Sequence, residues 1–209
     1  MIDNLKELRT TAWRTSGARY NAARRLRRKE LFSTISLALF SAFSIIIAIV
    51  QRIYSPSLTP DLDNYLTALS ICIGLFILVF TLMEWGSANG SKGDALHRNA
   101  EELNSLQRKI GQRIAQTERG QELSWSDVDK LREDYEGIKG LCPHNHSPLD
   151  DKLFIASQRH APEFTSQNIR YCKAVISWAV WMSSSIWYYV IFWAITIFSI
   201  WIAFSKIIF

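Results

Sequence analysis

Three long runs of residues without a charge constrain what this chain can fold into. They extend over residues 31–51, 64–83 and 174–205 and contain 21, 20 and 32 residues. A helix rises about 1.5 Å per residue, so about 20 apolar residues cross a hydrocarbon core of about 30 Å. Because a long helix in a globular core keeps a polar face, these runs predict membrane-spanning helices. The sequence therefore predicts an all-α integral membrane protein.

The chain divides into four segments by composition. The predicted segments are a basic amphipathic arm (1–30), a transmembrane hairpin (31–85, spans about 31–51 and 64–84), a helical cytoplasmic segment (86–173), and an interfacial stretch with a third transmembrane helix (174–209). A straight helix over the third run would be about 48 Å long, well beyond the hydrocarbon thickness. We therefore predict that 171–185 lies in the interface and 186–205 spans the membrane. A strongly tilted single helix is the alternative.

The distribution of basic residues predicts the orientation in the membrane. The first 30 residues contain nine Lys and Arg against three acids, and residues 86–173 contain 13 basic residues, whereas 52–63 contains one. Cytoplasmic loops carry an excess of Lys and Arg. We therefore predict a multi-pass protein with a cytoplasmic N-terminus. The connection with Ser55-Pro56 and Thr59-Pro60 is predicted to lie outside, as is the tail from Lys206.

Five cations directly precede the first span, and they are Arg24, Arg25, Arg27, Arg28 and Lys29. A cluster of this kind suits acidic lipid head groups or nucleic acid. Since it abuts a span, it lies at the head-group level, which favours contact with lipid and argues against nucleic acid. Upstream, apolar residues at helical spacing predict that the arm is a helix lying on the membrane or continuing into the first span. Gly17 is its predicted weak point.

The middle segment has the pattern of several amphipathic helices. Apolar residues recur every three or four positions from Leu96 to Ile114, which predicts a helix that is able to self-associate. Ser124 and Asp127 have the spacing of a capping box for a second helix. A third helix is predicted after Pro148.

Each predicted span has one face of small and hydroxyl residues. On the first span the face contains Ser33, Ser36, Ser41 and Ser44, and on the second it contains Thr67, Ser70, Gly74 and Thr81. At about 100° per residue, each set lies on one side of its helix. Such faces let helices pack closely, or line a water-filled path in an oligomer. Both interpretations stay open, and a ring of subunits accommodates both.

Residues that carry catalytic or metal chemistry are sparse. The stretch from Cys142 to His146 has ligand-type side chains, but zinc sites usually use two spaced pairs and no second pair is visible. We interpret it as a polar turn and predict no metal and no cofactor. The sequence also has no glycine-rich phosphate loop and no recognisable catalytic triad. We therefore predict no catalytic residues and no enzymatic activity.

Three short motifs, taken together in their order, resemble a known family. Residues 18–24 read Ala-Arg-Tyr-Asn-Ala-Ala-Arg, residues 95–103 read Ala-Leu-His-Arg-Asn-Ala-Glu-Glu-Leu, and residues 145–150 read Asn-His-Ser-Pro-Leu-Asp. With the helical hairpin, they resemble the bacterial SLATT domain, the SMODS and SLOG-associating two-transmembrane effector. The resemblance covers roughly residues 5–170. The additional C-terminal span departs from a simple two-span plan.

The resemblance implies an effector of bacterial antiviral defence in the inner membrane. It implies that Asn145, His146 and Asp150 form a family-like cytoplasmic motif. It also implies a sensor partner, with a nucleotide signal or a reverse-transcriptase module, that triggers homo-oligomerisation and permeabilisation of the membrane (abortive infection). The alternative is a non-conducting membrane anchor or adaptor for a cytoplasmic partner. A small transporter subunit is disfavoured, because no intramembrane charge or broken helix marks a substrate site.

Overall fold

The computed structural model of the protein describes residues 1–54 and 58–208, and these residues form helices without a β-strand. The helices are α1 (Ile2–Tyr54), α2 (Pro60–Ser87), α3 (Asn89–Glu118), α4 (Trp125–Gly140), α5 (Pro148–Ser157), α6 (Tyr171–Ser183) and α7 (Trp187–Ile208), with a short 3-10 helix at Thr165–Gln167. The all-α prediction is confirmed. The predicted loop residues Ser55 and Pro56 lie outside the described residues.

The chain forms two compact units, each built from separated stretches. The first, which we call the polar unit, contains Met1–Arg27 and Gly90–Ser185. The second, which we call the membrane unit, contains Arg28–Asn89 and Ile186–Phe209. The arm and the middle segment thus belong to one unit. Helix α1 continues from the arm into the first span without a break at Gly17.

Helix ends follow local chemistry. Thr59 caps α2, because its hydroxyl accepts a hydrogen bond from the Leu62 N–H at 3.4 Å and Pro60 occupies the first turn. Ser124 and Asp127 form the capping box of α4 with bonds of 3.1 and 3.2 Å, as predicted. Between α3 and α4, Gly120 has φ +96°, a conformation that favours glycine.

The main core of the polar unit joins α1, α3 and α4. The buried apolar residues are Leu5 and Ala12 of α1, Leu103, Leu106, Ile110 and Ile114 of α3, Leu123 before α4, and Val128, Leu131 and Tyr135 of α4. The apolar stripe of α3 is therefore buried within the subunit. Self-association of the chain, if it uses α3, has to use its other faces.

The membrane unit brings α2, α7 and the second half of α1 together around aromatic rings. Phe40 of α1 stacks on Trp193 of α7 at 4.9 Å between ring centres, and Phe76 of α2 lies 4.2 Å from Phe192. Large apolar side chains such as Ile71 point outward and are exposed. Among the described residues, two helices are long and apolar enough to cross a membrane, or three if the bent pair α6 and α7 counts as one span.

Candidate functional site

A fully buried carboxylate, that of Asp150, lies at the start of α5 in the polar unit. Asp150 occupies the third position of the helix, after the N-cap Ser147 and Pro148. The backbone N–H and the hydroxyl of Ser147 both donate to Asp150 Oδ2, at 2.9 and 2.8 Å. This local pattern orients the carboxylate toward the interior of the unit.

Two residues distant in sequence complete the environment of Asp150. The Arg25 guanidinium donates from Nε and one terminal nitrogen to the two carboxylate oxygens, at 3.0 Å each. The Trp181 indole N–H of α6 donates to Oδ1 at 2.8 Å. Asn21 donates to the Asp150 backbone carbonyl at 3.0 Å. Asp150 therefore holds α1, α5 and α6 to one another, and we call this set of contacts the Asp150 cluster.

The surroundings of Asp150 stabilise its ionised form. Burial on its own raises the pKa of a carboxyl group, because the charged form loses hydration. The hydrogen bonds from Arg25 and Ser147, with the charge of Arg25, outweigh burial and lower the pKa of Asp150 below its ordinary value. Asp150 is thus a buried, ionised carboxylate that accepts hydrogen bonds from three residues.

The three motifs that resemble the SLATT domain meet in the polar unit. Arg19 of the first motif donates to the side-chain oxygen of Asn99 in the second, and Asn21 reaches Asp150 in the third. The Tyr20 and His97 rings lie 5.2 Å apart, edge to face. Segments about 80 and 130 residues apart in sequence therefore form one contact region.

Arg19 is a buried cation with neutral partners. Its terminal nitrogens donate to Asn99 and, at 3.3 Å, to the Lys139 carbonyl, whereas Nε has no hydrogen-bond partner among the described residues. Burial lowers the pKa of Arg19, because the charged guanidinium loses hydration. Arg19 belongs to the first quoted motif, but its burial was not predicted, since nothing in the sequence distinguishes a buried arginine from the exposed ones of a basic arm.

The remaining residues of the predicted motif lie in the loop before α5. Asn145 is exposed, and its side-chain oxygen accepts a hydrogen bond from the His146 N–H at 2.9 Å. His146 is half-buried, and its Nδ1 has no hydrogen-bond partner among the described residues. The described residues contain no group of three or more His, Cys, Asp or Glu that could hold a metal ion.

We expect the stability of the polar unit to fall as the pH drops through the titration of His146. Burial lowers the pKa of His146 below 6.5, and the nearby Arg19 also lowers it, while Asp151 and Asp150 oppose the shift. The unfolded chain therefore binds the proton more readily, so stability falls from about pH 6.5 downward. Thermal unfolding of the parent and of His146→Gln at several pH values measures the effect. The same pH slope in both proteins would contradict this assignment.

Two of the five cations predicted to contact lipid have carboxylate partners in the polar unit. Arg25 pairs with Asp150, and Arg27 pairs with Asp94 at 2.7 Å. In the membrane unit, the Lys29 ammonium lies 5.9 Å from the centre of the Tyr188 ring. Contact of this cluster with lipid head groups stays a prediction.

Some residues of the predicted small-residue faces make contacts within the membrane unit, and others are exposed. Ser33 and Ser36 are buried, and Trp193 donates to the Ser36 hydroxyl at 3.0 Å. Ser44 and Ser70 share a hydrogen bond of 3.4 Å. The Ser41 and Thr81 hydroxyls donate to carbonyls of their own helices, and Thr67 accepts from Gln51. Gly74 is exposed, and a Cβ added there meets no atom within 4 Å.

One family model matches residues 1–204, and its description is SMODS and SLOG-associating 2TM effector domain family 5. The chain belongs to this SLATT family. The match includes α6 and most of α7, so the C-terminal helices lie within the family region and not beyond it. Comparisons of the SLATT chain with curated proteins and with solved structures find no match. The predicted resemblance to the SLATT domain is thus confirmed.

Part of the Asp150 cluster of this SLATT protein was detectable in the sequence. Ser147 and Asp150 have the Ser-x-x-Asp spacing of a helix start, which predicts the carboxylate at the third helical position. The roles of Arg25 and Trp181 were missed. Arg25 belongs to a cluster that suits lipid, and Trp181 to an aromatic stretch that suits an interface, so neither carries a signal for pairing with Asp150.

Proposed function

We propose that this SLATT protein is the membrane effector of a bacterial antiviral defence system. In this proposal it is a multi-pass protein of the inner membrane with a cytoplasmic N-terminus. A sensor partner, with a nucleotide signal or a reverse-transcriptase module, triggers its oligomerisation, and the oligomer permeabilises the membrane. The observation that carries the proposal is the match of residues 1–204 to a family of two-transmembrane effector domains.

The surface of α2 supports assembly of several copies. Gly74 and Thr81 are exposed, and no neighbouring atom occupies the space that a Cβ at Gly74 would take. Small residues allow two transmembrane helices to approach closely. The adjacent surface carries large exposed side chains, such as Leu75 and Leu78, which suit lipid. The face around Gly74 is therefore where a second copy of the chain would pack.

Replacing Gly74 by leucine is expected to reduce leakage by at least about tenfold while the chain still inserts. The reason is that a bulky side chain fills the space for a second helix but touches nothing in its own subunit. Replacing Ser36 or Ser44 is a less specific test, because both residues make contacts within the membrane unit. Dye release from liposomes containing the purified chain measures the effect.

The matched control is Leu75→Phe, which enlarges an exposed side chain on the next position of α2. It is expected to leak as the parent does. Equal leakage from Gly74→Leu and the parent would contradict assembly through this face. No leakage from the concentrated parent would contradict permeabilisation by the chain alone.

A non-conducting anchor or adaptor is the second candidate, and a specific observation favours it. The hydroxyls of Ser36, Ser44 and Ser70 make contacts within the subunit, and Ser33 is buried. Hydroxyls used in this way support helix packing and leave fewer groups to line a water-filled path. Loss of membrane potential in cells that express the parent, but not in cells that express Gly74→Leu, would favour the effector over the anchor.

A further inference from the structure

A groove of the polar unit combines two lysines with an apolar wall. Its volume is about 470 Å³, and it is formed by α5, the segment before α6, and α6. Lys152 of α5 and Lys173, Ile176 and Val180 of α6 line it, together with apolar side chains such as Ile155 and Ile169. The Asp150 cluster is built from other side chains, so the groove is a separate feature of α5 and α6.

The charge in this groove has no counter-ion. Lys152 and Lys173 are exposed, and neither forms an ion pair or side-chain hydrogen bond in the described part of the chain. No acidic residue lines the groove. Two uncompensated ammonium groups at one opening attract an anion.

The start of α6 adds to the positive potential. Helix N-termini present free N–H groups and a partial positive charge, which acidic residues usually offset. The first turn of α6 has no acidic residue, and its N-cap Arg170 provides no side-chain hydrogen bond. Lys173 lies in this same turn. The local field thus reinforces the two lysines where an anionic group would enter.

The rest of the groove suits a hydrocarbon chain. Ile176 and Val180 lie one and two turns beyond Lys173 on the same side of α6, and both are exposed, with Ile176 at 61%. The rise from Lys173 to Val180 is about 10 Å. Helix α6 also exposes Tyr171 and Trp178, and the apolar helix α7 follows it after three residues. Basic residues beside exposed aromatic and aliphatic side chains are typical of helices in a membrane interface.

We propose that this groove binds an anionic phospholipid. The phosphate binds at Lys152, Lys173 and the start of α6, and the first part of an acyl chain lies along Ile176 and Val180. A free phosphate would use only the cationic end, and a zwitterionic lipid would leave the net charge of the lysines uncompensated. Lipid binding in the groove requires a membrane but does not require that the protein permeabilises it. A negative result for lipid binding therefore does not contradict permeabilisation, and a negative result for permeabilisation does not contradict lipid binding.

The test uses the full-length chain in detergent micelles and native mass spectrometry. The probes are short-chain phosphatidylglycerol, short-chain phosphatidylcholine and inorganic phosphate, each titrated against the parent and Lys152→Gln/Lys173→Gln. Each lysine near an anionic lipid contributes about a factor of five in affinity, so the double variant is expected to bind phosphatidylglycerol about 30-fold more weakly. The control Lys92→Gln/Lys130→Gln makes the same change in net charge on α3 and α4 and is expected to bind as the parent does.

Three results would overturn the proposal. The first is equal affinity of the parent and the Lys152/Lys173 variant for phosphatidylglycerol. The second is equal affinity of the parent for phosphatidylcholine and phosphatidylglycerol, which would remove the role of charge. The third is binding of inorganic phosphate as tightly as the lipid, which would make the groove a simple anion site. The variant Ile176→Asn tests the apolar part of the groove separately from its cationic end. It is expected to weaken lipid binding and leave phosphate binding unchanged.

Discussion

Replacing Asp150 by asparagine is expected to lower the midpoint of thermal unfolding by about 10 °C. The carboxylate is 0% exposed and accepts hydrogen bonds from Arg25, Trp181 and Ser147. Its loss leaves the Arg25 cation without a counter-ion, and breaking a buried pair costs about 3–5 kcal/mol. In a chain of this length each kcal/mol shifts Tm by about 2–4 °C. Differential scanning fluorimetry in detergent micelles measures the shift.

The neighbouring residue provides a matched control for Asp150. Asp151 forms a similar forked ion pair with Arg14, with bonds of 2.7 and 2.6 Å, but nearly half of the Arg14 side chain is exposed. Exposed pairs contribute at most about 1 kcal/mol, so Asp151→Asn is expected to shift Tm by only a few degrees. Equal shifts from the two substitutions would show that burial does not govern the Asp150 cluster. A variant with both Arg25→Met and Asp150→Leu is expected to regain part of the lost stability.

Replacing Gly17 by alanine is expected to destabilise the polar unit by about 2–3 kcal/mol. A Cβ added at Gly17 would overlap two ring carbons of Phe154. The ring has little room to move, because Trp13 and Phe164 pack against it at 5.5 and 5.7 Å. Inserting a methyl group into a well-packed core typically costs about 1–3 kcal/mol, and this contact lies at the upper end. Chemical unfolding in urea measures the change.

Replacing a different helical glycine by alanine is expected to raise the stability instead of lowering it. Gly137 lies in α4, where an added Cβ meets nothing within 4 Å, so Gly137→Ala is expected to stabilise the chain by about 0.5–1 kcal/mol. In the background of Phe154→Leu, the penalty of Gly17→Ala should shrink, because a smaller side chain makes room for the methyl group. An undiminished penalty in that background would show that the clash with Phe154 is not its cause.

The sequence was sufficient for the features that depend on local pattern. The apolar runs predicted the helical class, the Ser124–Asp127 spacing predicted the start of α4, and the stripe from Leu96 to Ile114 predicted the helix α3. The quoted motifs predicted the family. Each of these depends on residues within one or two helical turns, or on short segments in a recognisable order. The length of an apolar run and the spacing of its residues are enough to predict a helix and its apolar face.

The features that were missed depend on long-range pairing. Gly17 is a weak helix former by propensity, yet α1 continues through it, and the absence of a side chain at Gly17 makes room for Phe154. The face of the first span suits packing or a pore, and only the position of Trp193 shows that Ser36 is used within the subunit. Propensity and spacing describe one helix at a time, whereas these roles are decided by the partner helix.

The split of the polar unit into two stretches imposes an order on its biosynthesis. The first stretch ends at Arg27, and the second begins at Gly90, so the ribosome makes the whole hairpin between them. Asp150 and Trp181 emerge still later, and until then Arg25 has no carboxylate partner. In the proposed topology, with a cytoplasmic N-terminus, the unpaired charge of Arg25 would help to keep the arm on the cytoplasmic side while the first span inserts. In the folded chain the same guanidinium is part of the Asp150 cluster.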